Sequence, residues 1–417
     1  MNSEFSIFKL GEVADIFAGG DKPKIFSVDK SNLNNIPVFA NAEKKYGLQG
    51  YTDTPRIIDS AVTVAARGSN VGFVAIRKEP FFPIVRLLTL IPNSKLLDVD
   101  YLFYNLKQNR QGGTGSGQPQ ITIPQISDRI ISLPSLITQQ KIAKVLSDLD
   151  AKIEINNKIN QELEAMAKTL YNYWFVQFDF PDANGKPYKS SGGLMVYNEE
   201  LKREIPVGWE DGVLSDIANI TMGQSPAGSS YNEEENGTVF YQGSTDFGLR
   251  FPTVRKYTTE PSRMAEENDI LLSVRAPVGT LNQTMESCCI GRGLAALREK
   301  EGSNSFLWSQ MEHFKQIFDR RNSSGTTFGS ITKDDLFGLK LCFPNKDTLE
   351  KFKKIADPFH EKIIVNSKEN QKLSKLRDWL LPMLMNGQVT VGEAALRQAQ
   401  DMPLGMVAES GEGYKKE

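Results

Sequence analysis

The sequence predicts an α+β (mixed α/β) fold in which two globular domains are joined by two long antiparallel coiled-coil helices, arranged as a pseudo-two-fold internal repeat. Three observations predict it. Similar strings recur in the two halves of the chain, short β-like runs in each half alternate with Gly, Pro and Asn, and each half ends in a long stretch with a heptad pattern. The chain is therefore interpreted as a tandem duplication.

The internal repeat rests on three pairs of strings. "QITIPQISDRIISLP", ending at Pro134, resembles "SITKDDLFGLKLCFP", ending at Pro344, at an offset of 344 − 134 = 210. "LGEVADI" resembles "LSDIANI", and "VAARGSNVGFV" resembles "LSVRAPVGTL", which pairs Arg67 with Arg275. The predicted divisions are a first domain 1–134, a central helix 135–180, a linker 181–209, a second domain 210–345, a distal helix 346–386 and a C-terminal tail 387–417.

Both predicted helices place asparagines where a heptad seam calls for apolar residues. The first seam contains Ile142, Leu146, Leu149, Ile153, Asn156, Asn160, Leu163, Ala167, Leu170 and Trp174. At the offset of 210 the second contains Phe352, Ala356, Phe359, Ile363, Asn366, Asn370, Leu373, Arg377, Leu380 and Leu384. A buried Asn is tolerated where its amide meets another polar group, and it penalises registers in which it faces Leu or Ile. We therefore predict that the four aligned asparagines set the register of an antiparallel pair; a solvated helix face or a functional amide is the alternative. Pro358 is expected to kink or restart the second helix.

The composition indicates a cytoplasmic protein without structural metal or disulfides. The 417 residues carry a formal net charge of −2, which argues against binding nucleic acid by bulk charge. No apolar run is long enough to span a bilayer, and "MNSEFSIFKL" lacks the basic start and apolar core of a signal peptide. Three cysteines and two histidines show no metal-ligand spacing. Any DNA contact must then rely on local clusters of charge or on a partner.

Motifs for chemistry on DNA are missing from the sequence. There is no phosphate loop, no strand-linked Gly-x-Gly-x-x-Gly turn and no Asn/Asp-Pro-Pro-Tyr/Phe element, and "PDANGKPYK" lacks the second carboxylate of a nuclease motif. We predict a non-catalytic protein with no catalytic residue and no metal site. The competing hypothesis, a self-sufficient methyltransferase or nuclease, requires S-adenosylmethionine binding or DNA cleavage by this chain alone.

Polar side chains of the types that recognise DNA are frequent in both domains. Arg reads guanine, Asn and Gln read adenine, and Lys, Ser and Thr hold phosphates. The candidates in the first domain are Lys22, Lys24, Asn41, Lys44, Lys45, Tyr46, Arg67, Ser69, Asn70, Gln118 and Gln120. Those in the second are Gln224, Ser225, Gln242, Ser244, Thr245, Arg250, Arg255, Lys256, Arg275, Arg320, Arg321, Asn322, Ser323, Thr326 and Thr327. Solvated surface is the alternative for each, and Arg67 and Arg275 could instead tie a turn in both copies. The Gly-rich segments 112–120 and 322–330 are predicted either to order on DNA or to be idle surface loops.

The duplicated plan resembles the specificity subunit of type I restriction-modification enzymes, the HsdS family. Two further strings carry the resemblance. "LYNYWFVQFDFPDANGKPYKSSGGLMVYNEELKREIPVGWE" at 170–210 is similar to the central linker of that family, and "LRDWLLPMLMNGQV" at 376–389 is similar to its terminal segment. The resemblance covers nearly the whole chain.

The resemblance implies that each globular domain is a target-recognition domain that reads one half of a bipartite, asymmetric sequence in double-stranded DNA. The helices would set the spacing and dock two methylation subunits, which carry S-adenosylmethionine, while restriction subunits use ATP and Mg; this chain itself would hold no cofactor. It implies a bacterial or archaeal cytoplasmic, DNA-associated complex. Tyr171, Tyr173, Trp174 and Phe175 are the predicted partner-docking residues, with core packing at the helix end as the alternative. The alternative function is a scaffold that holds two modules unrelated to DNA.

Overall fold

The computed structural model describes residues 5–110, 112, 119–323 and 330–392, apart from the side chains of 316, 317 and 319–323. The chain divides into two compact units, one formed by Met1–Glu154 with Asn370–Glu417 and the other by Ile155–Glu369. The division falls within both long helices, so each unit contains one copy of the repeat and a part of each helix.

The first unit is built on a four-stranded antiparallel sheet and a three-stranded sheet. Its strands are β1 (Ser6–Lys9), β2 (Ala14–Ala18), β3 (Ile36–Phe39), β4 (Leu48–Thr52), β5 (Ala61–Val64), β6 (Val74–Arg77), β7 (Phe82–Pro83), β8 (Leu88–Pro92) and β9 (Ile130–Leu133). Its helices are α1 (Leu10–Val13), α2 (Val99–Gln108) and α3 (Ile123–Ser127), followed by the long helix α4 (Leu136–Tyr171), which continues into the second unit. The sheet orders are β2-β8-β5-β6, β4-β3-β7 and β1-β9, and β3 pairs with β7 in parallel.

The second unit repeats this plan. Its strands are β10 (Met195–Asn198), β11 (Arg203–Pro206), β12 (Glu210–Val213), β13 (Ala218–Met222), β14 (Tyr231–Asn232), β15 (Thr238–Tyr241), β16 (Tyr257–Thr258), β17 (Met264–Ala265), β18 (Ile270–Ser273), β19 (Leu281–Gln283), β20 (Cys288–Ile290), β21 (Leu294–Glu299) and β22 (Lys340–Phe343). Its helices are α5 (Leu214–Ile217), α6 (Asn304–Ser323), α7 (Lys333–Phe337) and the long helix α8 (Lys346–Met385). The order β13-β21-β18-β19 reproduces β2-β8-β5-β6, and β15 pairs with β20 in parallel as β3 does with β7. The mixed α+β fold and its internal repeat are confirmed.

The core of the first unit extends from the sheet onto both long helices. The four residues of β5 are all buried, as expected for a central strand covered on both faces. Two of them, Val62 and Val64, belong to a cluster that also contains Leu146 of α4 and Leu384 of α8. Arg377 of α8 forms an ion pair with Asp150 of α4 at 2.6 Å. The globular domain therefore packs on the helices beyond its predicted end at residue 134.

In the second unit, α4 and α8 run antiparallel and meet in a polar layer. The side-chain amide of Asn156 donates to Glu369 Oε2 at 2.6 Å, and that of Asn160 donates to Ser367 Oγ at 3.1 Å. Asn366 Nδ2 donates to Asn160 Oδ1 at 2.9 Å. Asn156 and Asn366 are each only 1% exposed. Burial of these amides is tolerated because each has a polar partner.

The heptad pattern gives the correct buried face of both long helices. No residue of either predicted seam is exposed, including Asn370 and Arg377. Of the two expectations for Pro358, the restart is wrong, because α8 runs through it without interruption, and the kink stays a prediction. Pro358 is exposed, so its ring meets solvent, and it has no N–H to donate to the helix. Among the described helices, none is long and apolar enough to cross a membrane.

The contact between Asn160 and Asn366 can be tested by a double-mutant cycle. Replacing Asn160 with Leu should lower the free energy of unfolding by about 1–3 kcal/mol, because the buried amide of Asn366 loses its partner. Replacing both with Leu should recover much of that loss, because neither polar group is then left unpaired. Urea unfolding of the four proteins measures the coupling, and strictly additive losses would show that the two amides do not interact.

Candidate nucleic-acid interface

In the first unit, the turn Ile84–Leu87 lies against the end of β2. Leu87 N donates to Ile84 O at 3.1 Å, which closes the turn, and Gly19 N donates to Leu87 O at 2.8 Å. Val85 and Arg86 in the middle of the turn both have positive φ, at 54° and 57°. This is a type I′ arrangement, and its backbone hydrogen bonds hold it in place.

Asn41 connects this turn to the segment that leads to Arg67. Its Oδ1 accepts a hydrogen bond from Ala66 N at 2.9 Å, and its Nδ2 donates to Val85 O. Both ends of the amide are therefore occupied inside the protein. Asn41 therefore has a positioning role in the fold, and the contact with DNA stays a prediction, because each end of the amide keeps one further hydrogen-bonding site.

Arg67 lies at the exposed end of that segment. It forms an antiparallel bridge with Gln120, and its Nη2 donates to Gln120 Oε1 at 3.1 Å. The equivalent Arg275 of the second unit is also exposed and bridges to Ser330. The alternative, that the two arginines tie a turn in both copies, fits the hydrogen bond of Arg67, and contact of the exposed side chains of both with DNA stays a prediction.

The lysines and the tyrosine of the loop before β4 are exposed. Lys45 and Tyr46 have φ values of 51° and 53°, and Arg77 Nη2 donates to Tyr46 O at 2.6 Å. Arg77 is buried over the ring of Phe39, and burial lowers its pKa to about 10. Sequence reasoning missed this supporting arginine, because it lies at the end of an ordinary strand pattern.

The remaining first-domain candidates lie nearby in sequence but differ in exposure. The exposed ones are Lys22, Lys24, Lys44 and Ser69, whereas Asn70 and Gln120 are half-buried. Lys22 Nζ lies 3.4 Å from the centroid of the Phe26 ring. Asn70 O accepts a hydrogen bond from Arg110 at 3.5 Å. Arg56, which the sequence also left unmarked, lies beside Gly20.

In the second unit, the turn Gly291–Leu294 occupies the place of Ile84–Leu87. Leu294 N donates to Gly291 O at 3.0 Å, and Gly223 N donates to Leu294 O at 2.9 Å. Val274 N donates directly to Gly293 O at 2.9 Å. The main chain thus makes the connection that the side chain of Asn41 makes in the first unit.

Three predicted contacts of the second domain come together around this turn. Gln224 N donates to Ile290 O at 3.0 Å, and Arg292 N donates to Ser225 Oγ at 3.3 Å. Gly293 N donates to Gln242 O at 3.3 Å. The exposed side chains of Gln224 and Gln242 are therefore brought to the same edge of the unit by residues far apart in sequence.

Other candidates of the second domain occupy the loop after β15. Thr245 and Arg255 are exposed, and Ser244 and Lys256 are half-buried. Arg255 forms an ion pair with Asp246, which is itself buried. The positive charge of Arg255 is consequently offset within the protein, so it is a weaker candidate for a DNA contact than an arginine without an acidic partner.

The prediction that Arg250 contacts DNA is wrong. Its side chain is 4% exposed and lies over the ring of Trp308, 3.3 Å from the centroid. Its Nε donates to Gln283 Oε1 at 3.1 Å, and Nη2 lies 2.7 Å from His360 Nδ1 on α8. Burial lowers the pKa of Arg250 to about 10, and burial and then the nearby arginine hold the pKa of His360 well below its ordinary value. Arg250 therefore joins the domain to α8.

Several predicted residues and segments lie outside the part of the chain that the structure describes. They are Gln118, Thr326 and Thr327, the side chains of Arg320, Arg321, Asn322 and Ser323, most of the two Gly-rich segments and the tail from residue 393. Among the residues that are described, no group of His, Cys, Asp and Glu is placed to hold a metal ion.

Three of the four predicted docking residues are wrong, because they form an internal aromatic core. Tyr171, Trp174 and Phe175 are 4–5% exposed and pack with Phe306 and Phe352. The phenol of Tyr171 donates to Gln310 Oε1 at 2.6 Å. Only Tyr173 is exposed, at 38%. The alternative reading, core packing at the end of the helix, is the one that the structure supports.

Tyr173 instead belongs to an exposed apolar stripe on α4 and the π-helical turn Asn172–Val176 that follows it. Its other members are Ile155, Ile159 and Met166, which are 53%, 39% and 52% exposed. The spacings of four, seven and seven residues place them on one face of the helix, together with the polar Glu162. The sequence already contained this stripe, because its apolar residues recur at heptad spacing at positions outside the predicted seam.

The comparisons with known proteins agree on one family. The family model described as "Type I restriction modification DNA specificity domain" matches residues 2–165 and 206–375. The chain is 32% identical over 336 residues to the putative type I restriction enzyme MjaX specificity subunit of Methanocaldococcus jannaschii, covering 77% of this chain and 76% of that protein. It is 27% identical over 397 residues to the MjaIX specificity subunit of the same organism, covering 90% and 88%.

A solved structure shares the fold. The S subunit of a type I restriction-modification system from M. genitalium superposes with a TM-score of 0.63 at 18% identity, covering 92% of this chain and 96% of that one. A further relative, the type I restriction enzyme HindI specificity subunit of Haemophilus influenzae, is 25% identical over 378 residues, covering 73% and 80%.

Proposed function

Since the chain belongs to the type I restriction modification DNA specificity domain family, we propose that it is the DNA sequence-specificity subunit of a type I restriction-modification complex. The observation that carries the proposal is the repeated arrangement of turns, in which an exposed arginine-bearing turn packs against the same strand end in both units. Domains 1–134 and 210–345 each read one half of a bipartite target. The target is asymmetric because the two domains differ in sequence.

The chain acts without chemistry of its own. Methylation of DNA falls to two methylation subunits that bind S-adenosylmethionine, and cleavage falls to restriction subunits that use ATP and Mg. The complex works in the cytoplasm of a bacterium or archaeon. The division of labour is supported by the absence of the methyltransferase and phosphate-loop motifs from this sequence.

The charges of the two domains support a shared grip on DNA. Residues 1–134 carry 15 − 12 = +3, whereas residues 210–345 carry 13 − 18 = −5. Phosphate contacts dominate the affinity of proteins for DNA and make it dependent on salt. The acidic second domain therefore reads its half-site while the methylation subunits supply much of the phosphate contact, and the isolated chain binds DNA weakly.

The sequence of the methylated DNA tests this function. Methylome sequencing of cells that express the chain with its methylation subunit should show one motif made of two short specific parts, with centres about one helical turn, ~34 Å, apart. Footprinting of the complex should show two protected patches. A contiguous motif, or no sequence preference at moderate salt, would favour the scaffold with modules unrelated to DNA.

The exposed stripe on α4 is the proposed docking surface for a methylation subunit. It is apolar and exposed, and polar residues flank it, which is typical of a protein interface. The seam on the adjacent face of α4 is already occupied by α8 within the second unit. The stripe is thus an apolar face of this helix that remains available to a partner.

Charging the stripe should abolish assembly. The double substitution Ile159→Asp and Met166→Asp places two carboxylates in the proposed interface, where each costs several kcal/mol if it is left unpaired. We expect loss of co-purification with the methylation subunit and an unchanged melting temperature, since both side chains are exposed. Gln161→Asp, exposed on another face of α4, is the matched control and should leave assembly intact. Retained assembly of the double variant would move the docking surface elsewhere.

A further inference from the structure

Each unit presents an arginine at the tip of an equivalent turn that sequence reasoning did not select. Arg86 is the third residue of the turn Ile84–Leu87, and Arg292 is the second residue of Gly291–Leu294. Both side chains are exposed. The turns are equivalent because each follows the strand that pairs in parallel, β7 or β20, and precedes the second strand of the four-stranded sheet, β8 or β21.

The two arginines lie on rigid supports. Arg86 N donates to Gly19 O at 3.0 Å, and Val85 N donates to Gly20 O at 2.9 Å. In the second unit, Arg292 N donates to Ser225 Oγ at 3.3 Å. With the closing hydrogen bonds of the turns, these contacts fix the main chain from which each guanidinium extends. A fixed origin reduces the entropy that the side chain loses when it binds.

Neither guanidinium is used by the residues that the structure describes. Within the part of the chain that the structure describes, Arg86 and Arg292 have no side-chain hydrogen bond and no ion pair. This separates them from Arg250, which is buried against His360, and from Arg255 and Arg298, which are paired with acids. An unpaired guanidinium keeps its full set of five donors for an external ligand.

The neighbours of the two turns are also suited to DNA. Beside the first turn, Asn41 links it to the segment that carries Arg67. Beside the second, the exposed amides of Gln224 and Gln242 lie next to the turn, and Val274 links it to Arg275. Each turn arginine thus has a second exposed arginine in the adjoining segment, which is the combination of charge and amide groups that base recognition uses.

We propose that Arg86 and Arg292 are base-reading residues, each donating bidentately to O6 and N7 of a guanine in the half-site read by its own domain. The inference rests on the proposed function and deepens it. The fork of the guanidinium matches the two acceptors on the major-groove edge of guanine, and this is the commonest specific contact between proteins and DNA. A rigid turn favours such directional pairing over a contact with phosphate, for which a flexible lysine serves as well.

The test uses the full chain together with its methylation subunit and compares wild type with Arg86→Lys, Arg86→Ala, Arg292→Lys and Arg292→Ala. Methylome sequencing and binding to a randomised DNA library report the preferred motif. Alanine removes every donor, so a base reader should lose discrimination at one guanine in the Ala variants by about tenfold to a hundredfold. Lysine retains the charge but lacks the fork, so the Lys variants should lose discrimination at the same guanine by a smaller factor. The other half of the motif should be unchanged in each case.

Lys95→Ala and Lys300→Ala are the matched controls. Each removes one positive charge just beyond the opposite end of the strand that follows the turn, β8 or β21. The controls should keep the motif of the wild type. Circular dichroism and melting temperature check that every variant is folded.

Two results would overturn the inference. If the Lys variants behave as wild type and the Ala variants weaken binding to all sequences equally with a smaller salt slope, the arginines contact phosphate. If the motif is unchanged in all four variants, the arginines do not read bases. Both results leave a wild-type bipartite motif in place, whereas failure of the proposed function would show as the absence of that motif in the wild type itself.

Discussion

Exchanging residues 1–134 for the first domain of another specificity subunit is expected to change one half of the methylated motif and leave the other half intact. Each mismatched base pair in a recognition site typically costs about 1–3 kcal/mol, so the new complex should no longer select the original first half-site. Methylome sequencing of cells that express the exchanged chain measures the result. Alteration of both halves would contradict independent reading by the two domains.

The residue at which the exchanged segment ends should affect the stability of the chain but not its DNA specificity. Tyr104 donates a hydrogen bond to Asp150 at 2.8 Å, and Lys107 Nζ lies 3.7 Å from the same carboxylate. An exchange that ends at 134 replaces these partners while keeping Asp150, whereas an exchange of 1–154 transfers the contacts together with the helix segment that makes them. We expect the same new half-motif from both chains and a lower melting temperature for the shorter exchange. The reciprocal exchange of 210–345 is the control and should alter the other half.

Replacing Lys353 with Ala is expected to destabilise the second unit by about 3–5 kcal/mol. Lys353 Nζ on α8 lies 2.6 Å from Glu299 Oε1 at the end of β21, and the two side chains are only 7% and 3% exposed. Removing one member of a buried pair leaves the other charge without compensation. Burial already raises the pKa of Glu299, and the hydrogen bond from Lys353 opposes that shift. Urea unfolding at neutral pH measures the loss.

The pH dependence of this loss gives a second measure. Without Lys353, the pKa of Glu299 should rise further above its value in the unfolded chain, so the folded state takes up a proton as pH falls and the destabilisation shrinks. Lys351→Ala is the matched control, because Lys351 pairs with Asp347 on the exposed surface of the same helix. That variant should lose no more than about 0.5 kcal/mol. An equal loss in both variants would show that burial of the Lys353 pair is not the cause.

The repeat and the helix seams were predictable because both rest on local patterns. Asn156 and Asn366 break the heptad at matching places, and a break of this kind has few physical explanations other than a polar layer. The structure bears out the buried face of each seam, while the role of the asparagines in fixing the register stays a prediction until the double-mutant cycle is measured.

The errors at the site concern contacts between residues distant in sequence. Arg250 is buried by Trp308 and His360, and nothing in its own neighbourhood of the sequence distinguishes it from an exposed arginine. Aromatic residues such as Tyr171 and Phe175 occur both in cores and at interfaces with partners, so composition alone does not distinguish core packing from partner docking. Arg86 was missed for the opposite reason, because "IVRLL" has the appearance of an apolar strand.

The first domain uses the Asn41 side chain where the second uses a main-chain hydrogen bond, so the two domains differ in how they can evolve. In the first domain, one codon change at Asn41 removes the link between the turn that bears Arg86 and the segment that leads to Arg67, while the main-chain hydrogen bonds of the turn remain. In the second, the corresponding link between Val274 and Gly293 involves only peptide groups, so replacing a side chain does not remove it. Point mutation should therefore diversify the first half of the target more readily, while the second half should change mainly through insertion, deletion or recombination.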